Sequence, residues 1–179
     1  MKKAVYLLVG CLAAVWGGLL RAEMPGMTKS SDRLFVANRD ADYVSVIDMK
    51  TLKLMGKLTT DTWAGAHMIM AWSGKTGQKI LVSLPMRNEV EIIDVETGKL
   101  EARVPLGRAP EHFAIEKNDL YPEYLAYIGN LEDGTVSVID LGQNKEIKRI
   151  EGFHEPHGVT FTSDGTKAYI ANLGAHRVD

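Results

Sequence analysis

Cysteine is almost absent from this 179-residue chain. Its single thiol, Cys11, lies in an apolar N-terminal stretch that has the marks of a removable segment. Beyond residue 22 there is therefore no disulfide, no thiolate metal site and no Cys-x-x-Cys-His for covalent haem. An excess of basic charge is lacking too: 21 Lys and Arg stand against 23 Asp and Glu, a net −2. Such a chain has little grip on a phosphate backbone, and nucleic acid is not an expected partner. After residue 22 no apolar stripe with a 3.6-residue period has useful length, which argues against helical bundles and helical repeats. Signatures of common catalysts are missing as well: no Gly-x-Ser-x-Gly, no phosphate loop, no dinucleotide fingerprint. Gly74-Lys75-Thr76 lacks the upstream glycine of a phosphate loop and is expected in a hairpin turn. What is present, 45% hydrophobic and 25% charged residues, is ordinary for a packed domain and excludes disorder, collagen and coiled coil.

The N-terminus reads as an export signal. Lys2 and Lys3 give a positive start, residues 4–20 an apolar run, and Leu20-Arg21-Ala22 a small-residue cleavage site before Glu23. Removal of residues 1–22 leaves 18 basic against 23 acidic residues, a net −5. Two rival readings rank lower. Leu8-Val9-Gly10-Cys11 resembles a lipobox, but its apolar core before the cysteine is short. An uncleaved anchor would have only a 17-residue apolar run, at the short end for a bilayer. The expected location is exported, periplasmic or extracytoplasmic, with no membrane span after cleavage.

The strongest pattern is an internal repeat. Val44-Ser45-Val46-Ile47-Asp48, Val90-Glu91-Ile92-Ile93-Asp94 and Val136-Ser137-Val138-Ile139-Asp140 follow one another at intervals of 46 residues. Ahead of each lies another apolar run: Leu34-Phe35-Val36-Ala37-Asn38, Ile80-Leu81-Val82-Ser83-Leu84 and Ala126-Tyr127-Ile128-Gly129-Asn130, again 46 apart. A fourth copy, Ala168-Tyr169-Ile170-Ala171-Asn172, follows 42 residues later. These runs are rich in Val, Ile and Tyr and are bounded by Gly, Asn and Asp, the chemistry of strands and turns. A third strand is expected over 52–58, 99–106 and 145–150. A fourth is clearest at His157-Gly158-Val159-Thr160-Phe161-Thr162, with Ser163-Asp164-Gly165 as its hairpin turn. Four antiparallel strands in such a period make one propeller blade. The fold class is therefore all-β, a β-propeller of four-stranded blades.

These residues resemble the YVTN-type β-propeller repeat family of exported bacterial and archaeal proteins. The likeness rests on Ala168-Tyr169-Ile170-Ala171-Asn172, the Val-Ser-Val-Ile-Asp runs, and Glu155-Pro156-His157-Gly158-Val159 followed by Ser163-Asp164-Gly165-Thr166-Lys167. It covers residues 33 to 179 and speaks to fold far more than to activity. In the second and third units, residues 70–77 and 116–122 replace the short Ser-Asp-Gly turn and are expected to be longer loops. The division expected is a signal peptide at 1–22, a linker at 23–32 and a partial propeller at 33–179, with blades near 33–60, 64–106, 110–151 and 155–179. On this reading the chain is an N-terminal fragment of about three and a half blades from a protein of about seven.

Two sets of repeated side chains invite a functional reading. Asp48, Asp94 and Asp140 each end a strand and are followed by Thr51, Thr97 or Gln143, so they are expected to cap turns by accepting backbone N–H bonds. His67, His112 and His157 are 45 and 45 residues apart and each opens an inner strand. One reading makes them a metal, haem or substrate site at the channel mouth. The favoured reading makes them structural, each satisfied by hydrogen bonds in the loop between blades. His154-Glu155-Pro156-His157 has neither the spacing nor the helix of a zinc motif. Trp63, Trp72, Met68 and Met70 are expected to pack between blades.

The function expected first is an exported scaffold or protein-interaction subunit of a redox complex. Within the repeat family the chain resembles the cofactor-free propeller subunit of hydrazine synthase. That likeness implies no cofactor in this chain, haem in partner subunits, other protein subunits such as multihaem cytochromes as partners, and the anammoxosome lumen as a further possible location. The alternatives are a dehydrogenase- or lactonase-like propeller enzyme acting through the channel-mouth histidines, and surface-layer adhesion. Intact-mass analysis of the native protein should find Glu23 at or near the N-terminus; a retained Met1 or a lipidated Cys11 would refute the cleaved signal.

Overall fold

The computed structural model describes residues 32–41, 43–59, 65–117 and 124–179. The signal segment at 1–22 with Cys11, nearly all of the linker and Trp63 lie outside the described residues. Four antiparallel sheets follow one another along the chain. The first has β1 (Arg33–Ala37), β2 (Val44–Asp48) and β3 (Lys53–Leu58). The second has β4 (Ile69–Gly74), β5 (Gly77–Leu84), β6 (Glu89–Asp94) and β7 (Leu100–Pro105). The third has β8 (Pro110–Lys117), β9 (Tyr124–Asn130), β10 (Thr135–Asp140) and β11 (Lys145–Glu151). The fourth has β12 (Pro156–Phe161), β13 (Ala168–Asn172) and β14 (Arg177–Val178). Each sheet is a simple meander, the topology of a propeller blade.

The 46-residue period is a period of hydrogen-bond register. Phe35 pairs with Val46, Leu81 with Ile92 and Tyr127 with Val138. The third and outer strands even carry the same bulge, between Val46 and Ile47, Ile92 and Ile93, and Val138 and Ile139. The repeated aspartates explain the turn that follows. Asp48 Oδ1 accepts from the Lys50 and Thr51 amides, Asp94 Oδ1 from the Thr97 amide and hydroxyl, and Asp140 Oδ1 from the Gly142 and Gln143 amides. The turn ends in a left-handed residue four positions after the aspartate: Leu52 (φ 57°), Gly98 (φ 66°) and Asn144 (φ 53°). Glycine and asparagine suit that conformation, whereas leucine is strained there by about 1–2 kcal/mol.

One expectation changes. Residues 70–77 do not form a long loop, because β4 and β5 stay paired down to Gly74 and Gly77 around a tight turn at Lys75-Thr76. Gly77 takes φ 125°, which a side chain would resist, and this glycine permits the sharp hairpin. In the third unit Glu116 and Lys117 belong to β8, and the rest of the expected loop lies outside the described residues.

Burial alternates along each strand and sends its two faces into different cores. From β5, Ile80, Val82 and Leu84 pack toward the first sheet with Phe35, Val44, Val46 and Leu58. Leu81 on its opposite face joins Ile92, Val104, Phe113, Ile128 and Ile139 between the second and third sheets. Trp72 belongs to this second core, with Met68 and Met70 packed against it, as interblade packing requires. A sheet covered on both faces excludes water, and burial of each such Ile, Leu or Phe contributes about 1.5–3 kcal/mol.

Several charged side chains are enclosed in this setting, Lys79 among them. Lys79 is 4% exposed, and its ammonium pairs with Asp94 Oδ2 at 2.8 Å and with Glu101. Burial works against the Asp94 charge, but the Lys79 ammonium and the Thr97 amide and hydroxyl outweigh it and hold the carboxyl at about 2. A folded-state value below the unfolded 3.8 stabilises the fold above pH 4 and is lost as pH falls through about 2. Asp94→Asn should therefore flatten that part of the acid-unfolding curve and cost about 1–3 kcal/mol at pH 7. Equilibrium denaturation at stepped pH checks both; an unchanged acid limb would contradict the assignment.

Candidate functional site at the channel mouth

Three loops lead into the inner strands β4, β8 and β12, and each turns on a residue with positive φ: Gly65 (73°), Ala109 (52°) and Glu155 (50°). Backbone bonds fix these turns. The Leu131 amide donates to Ala109 O and the Leu173 amide to Glu155 O, while the Ala109 amide donates to Asn88 Oδ1 of the preceding sheet. Asn130 and Asn172 brace the same end of their blades. Asn130 Nδ2 donates to the Thr135 and Ser137 hydroxyls, and Asn172 Oδ1 accepts from the His154 amide. Gly107 sits so close to Asn130 that a Cβ there would fall 2.7 Å from the amide carbon.

Strand pairing gives the register of the residues that follow. Pro110 pairs with Asn130 and Pro156 with Asn172; Ile69, Phe113 and Val159 pair with Val82, Ile128 and Ile170. Counting back from these pairs puts His67, Glu111 and His157 at equivalent positions. His112 stands one residue further on, at the position that Met68 and Gly158 occupy in the other two inner strands. The equal 45-residue spacing of the three histidines thus conceals a structural period of 44 and then 46 residues. The inner row across three blades is His67, Glu111, His157.

The structure nonetheless brings all three imidazoles together. Ring centroids lie 5.1 Å apart for His67 and His112, 4.0 Å for His112 and His157, and 6.5 Å for His67 and His157. Glu111 sits among them, its Oε2 3.2 Å from His157 Nε2 and 3.8 Å from His67 Nε2. Side-chain exposure is 14% at His67, 13% at Glu111 and 28% at His157, so the group is sheltered yet open to solvent on one side. Burial pushes the His67 imidazole below its ordinary value; Glu111 works the other way, while Arg39 and His157 add to the lowering. Burial, helped by His157 and His67 and opposed by Glu111, brings His112 to about 4. At neutral pH both rings are therefore uncharged and able to accept a proton.

These contacts differ from those expected of loop-bracing histidines. His67 Nδ1 is buried and has no hydrogen-bond partner among the described residues. The imidazoles meet one another and Glu111, while the bracing is done by Asn88, Asn130 and Asn172. Sequence reasoning missed Glu111 as part of the site. The signal was available in the proline that precedes it: aligning Pro110 with Pro156, in place of His112 with His157, puts Glu111 in the row. Among the described residues, no group of three or more His, Cys, Asp or Glu could hold a metal ion. A separate cavity of about 290 Å³, lined by Met70, Trp72, Gln78, Ile115 and Tyr124 among others, lies toward the far ends of β4 and β8 and touches none of the three histidines.

No family model matches the chain. It is 23% identical over 146 residues to an uncharacterised protein, YncE, of Salmonella typhi, and equally to that of Salmonella typhimurium. The match takes in 81% of this chain but spans only 40% of those relatives' length. Among solved structures, hydrazine synthase of Kuenenia stuttgartiensis is similar with a TM-score of 0.66 and 17% identity, over 88% of this chain and 45% of that one. Dihydro-haem d1 dehydrogenase NirN, in complex with DHE, gives 0.62 and 13%, over 82% and 34%. An auxiliary nutrient binding protein of Bacteroides thetaiotaomicron gives 0.64 and 14%, over 83% and 44%. At these identities the likeness is one of fold: the chain is a stretch of β-propeller.

Asparagine and histidine should then behave differently on mutation. Asn130→Ala, which strands two buried hydroxyls, should cost about 1–3 kcal/mol, whereas His157→Gln should cost under about 1 kcal/mol. Chemical denaturation of the two variants decides it; an equal or larger loss at His157 would restore the bracing role.

Proposed function

We propose that the chain belongs to an exported β-propeller that binds a small ligand at the mouth of its channel. The observation that carries this is the convergence of His67, Glu111, His157 and His112 from three consecutive blades, with rings 4.0–6.5 Å apart and one buried nitrogen unsatisfied. Clustering titratable side chains in a sheltered, one-sided site costs stability through desolvation, and such sites recur where a ligand is bound or a proton moved. Imidazoles beside a carboxylate can accept protons and donate hydrogen bonds, so the mouth serves binding and, with a suitable substrate, acid–base chemistry. Export rests on Lys2, Lys3 and the apolar run at residues 4–20.

A second reading, a protein-interaction subunit of a redox complex like hydrazine synthase, has its own observation. Leu52, Leu54 and Met55 are 74%, 59% and 36% exposed on the outer edge of the first blade. Leu52 even keeps the strained left-handed turn position that Gly98 and Asn144 fill in the next two blades. A local rule broken to expose an apolar side chain points to a surface that is covered in use. In that reading haem belongs to the partner subunits.

One experiment addresses both. Native mass spectrometry of the protein purified from its own compartment should show a bound small species that is lost on combined His67→Gln, His112→Gln and His157→Gln substitution with the fold retained. A complex with a haem protein, dissolved by Leu52→Asp with Leu54→Asp and indifferent to the histidines, would instead support the interaction subunit. A ligand-free parent would refute the first reading.

A further inference from the structure

We propose that the channel mouth is an acid-sensitive release: when its imidazoles take up protons, like charges gather at the starts of the inner strands of three consecutive blades and drive those starts apart. The inference concerns how the mouth is regulated and does not depend on which ligand it holds. Charge counting is its first support. The His67, His112 and His157 ring centroids lie 4.0–6.5 Å from one another. Glu111, in their midst, can offset one positive charge, whereas Arg39, from the loop after β1, adds another. With the imidazoles protonated, three rings and a guanidinium would face a single carboxylate. Repulsion at such separations is strong where burial keeps water out. The lowering of His112 to about 4, caused first by burial and then by His157 and His67, is the same repulsion met by an incoming proton.

The backbone at the mouth is built to respond. The β8–β9 ladder jumps from Pro110 opposite Asn130 to Phe113 opposite Ile128, and the β12–β13 ladder from Pro156 opposite Asn172 to Val159 opposite Ile170. Glu111 with His112, and His157 with Gly158, therefore sit in interruptions of the pairing, where a shift leaves the regular ladder beyond Phe113 and Val159 intact. His67 is held more firmly, its amide donating to Ser83 O at 3.0 Å. The charge cannot be relieved by closing up: Gly129 on β9 lies so near the start of β12 that a Cβ there would run into the Pro156 carbonyl oxygen. Movement is outward, and greatest at β8 and β12, whose His112 and His157 rings are 4.0 Å apart. The linkage has a definite sign. His112 folds with a value below its unfolded 6.5, so its uncharged ring stabilises the fold above pH 6.5, and that contribution is lost as pH falls through about 4. Asp94 responds in a separate window, near 2.

The test compares the native protein at about pH 7.5 and about pH 5, on either side of the unfolded-histidine value. Its melting temperature should fall by at least about 3 °C between the two. Amide exchange, corrected for the intrinsic effect of pH, should quicken at the starts of β8 and β12 while the outer strands β7 and β11 stay as they were. His112→Gln and His157→Gln should melt close to the parent at the higher pH and above it at the lower, a reversal that a merely structural histidine would not give. Glu111→Gln should widen the drop, because the offsetting charge is gone. Asp94→Asn should keep the drop in full, since its own window lies far lower. A protein with His67→Gln, His112→Gln and His157→Gln combined that loses as much stability in acid as the parent overturns the proposal, and so does exchange that quickens evenly over the whole molecule. Should the triple variant not fold, the single His112→Gln exchange carries the same comparison. A ligand-free parent that still shows the histidine-dependent drop would sink the ligand-binding reading and leave the release standing.

Discussion

Everything in this molecule depends on sheets that are covered on both faces. A blade alone is a four-stranded meander with two apolar sides and no core, and only a neighbour on each side removes that surface from water. In the second blade the alternation along β5 makes the division visible, with Ile80, Val82 and Leu84 facing one neighbour and Leu81 the other. The buried Lys79–Asp94 pair is tolerated here because each partner has a second hold, Glu101 on the ammonium and Thr97 on the carboxylate.

The channel mouth is a consequence of that packing. Stacked blades bring the starts of their innermost strands together, and any residue at that register is forced into the company of its counterparts. Here the counterparts are His67, Glu111 and His157, with His112 added from the neighbouring position. Blade rigidity pre-organises the cluster, so the loops need to do little beyond entering each strand through a left-handed turn. The bracing contacts fall to Asn88, Asn130, Asn172 and the repeated aspartates, while the imidazoles meet one another and Glu111.

The fold was legible because it repeats. A 46-residue period, strand chemistry and an aspartate before each outer turn specify blades and most of their boundaries, and β3, β7 and β11 begin and end within a residue or so of the expectation. The aspartates also behave as their neighbours Thr51, Thr97 and Gln143 suggest. The site was legible only in part. Histidine spacing drew attention to the right region, but a count of residues is not a register. The second and third inner strands are set 44 residues apart and the third and fourth 46, a difference absorbed in the loops and visible only through pairing with Val82, Ile128 and Ile170. Glu111 escaped notice because Pro110-Glu111-His112 reads as a structural loop between blades, whereas all three residues belong to β8. The hairpin expected at Gly74-Lys75-Thr76 is present, but it is tighter than the loop expected over residues 70–77, because Ser73 and Gly74 stay paired in the strand.

The central claim is that the inner row reads His67, Glu111, His157, with His112 beside it. A high-resolution crystal structure of the protein tests this most directly through the strand register and the atoms facing the channel. The account predicts Pro110 opposite Asn130, the Glu111 carboxylate between the two Nε2 atoms, and His112 one residue off the row. A structure with His112 in line with His67 and His157, and Glu111 turned to solvent, would contradict it.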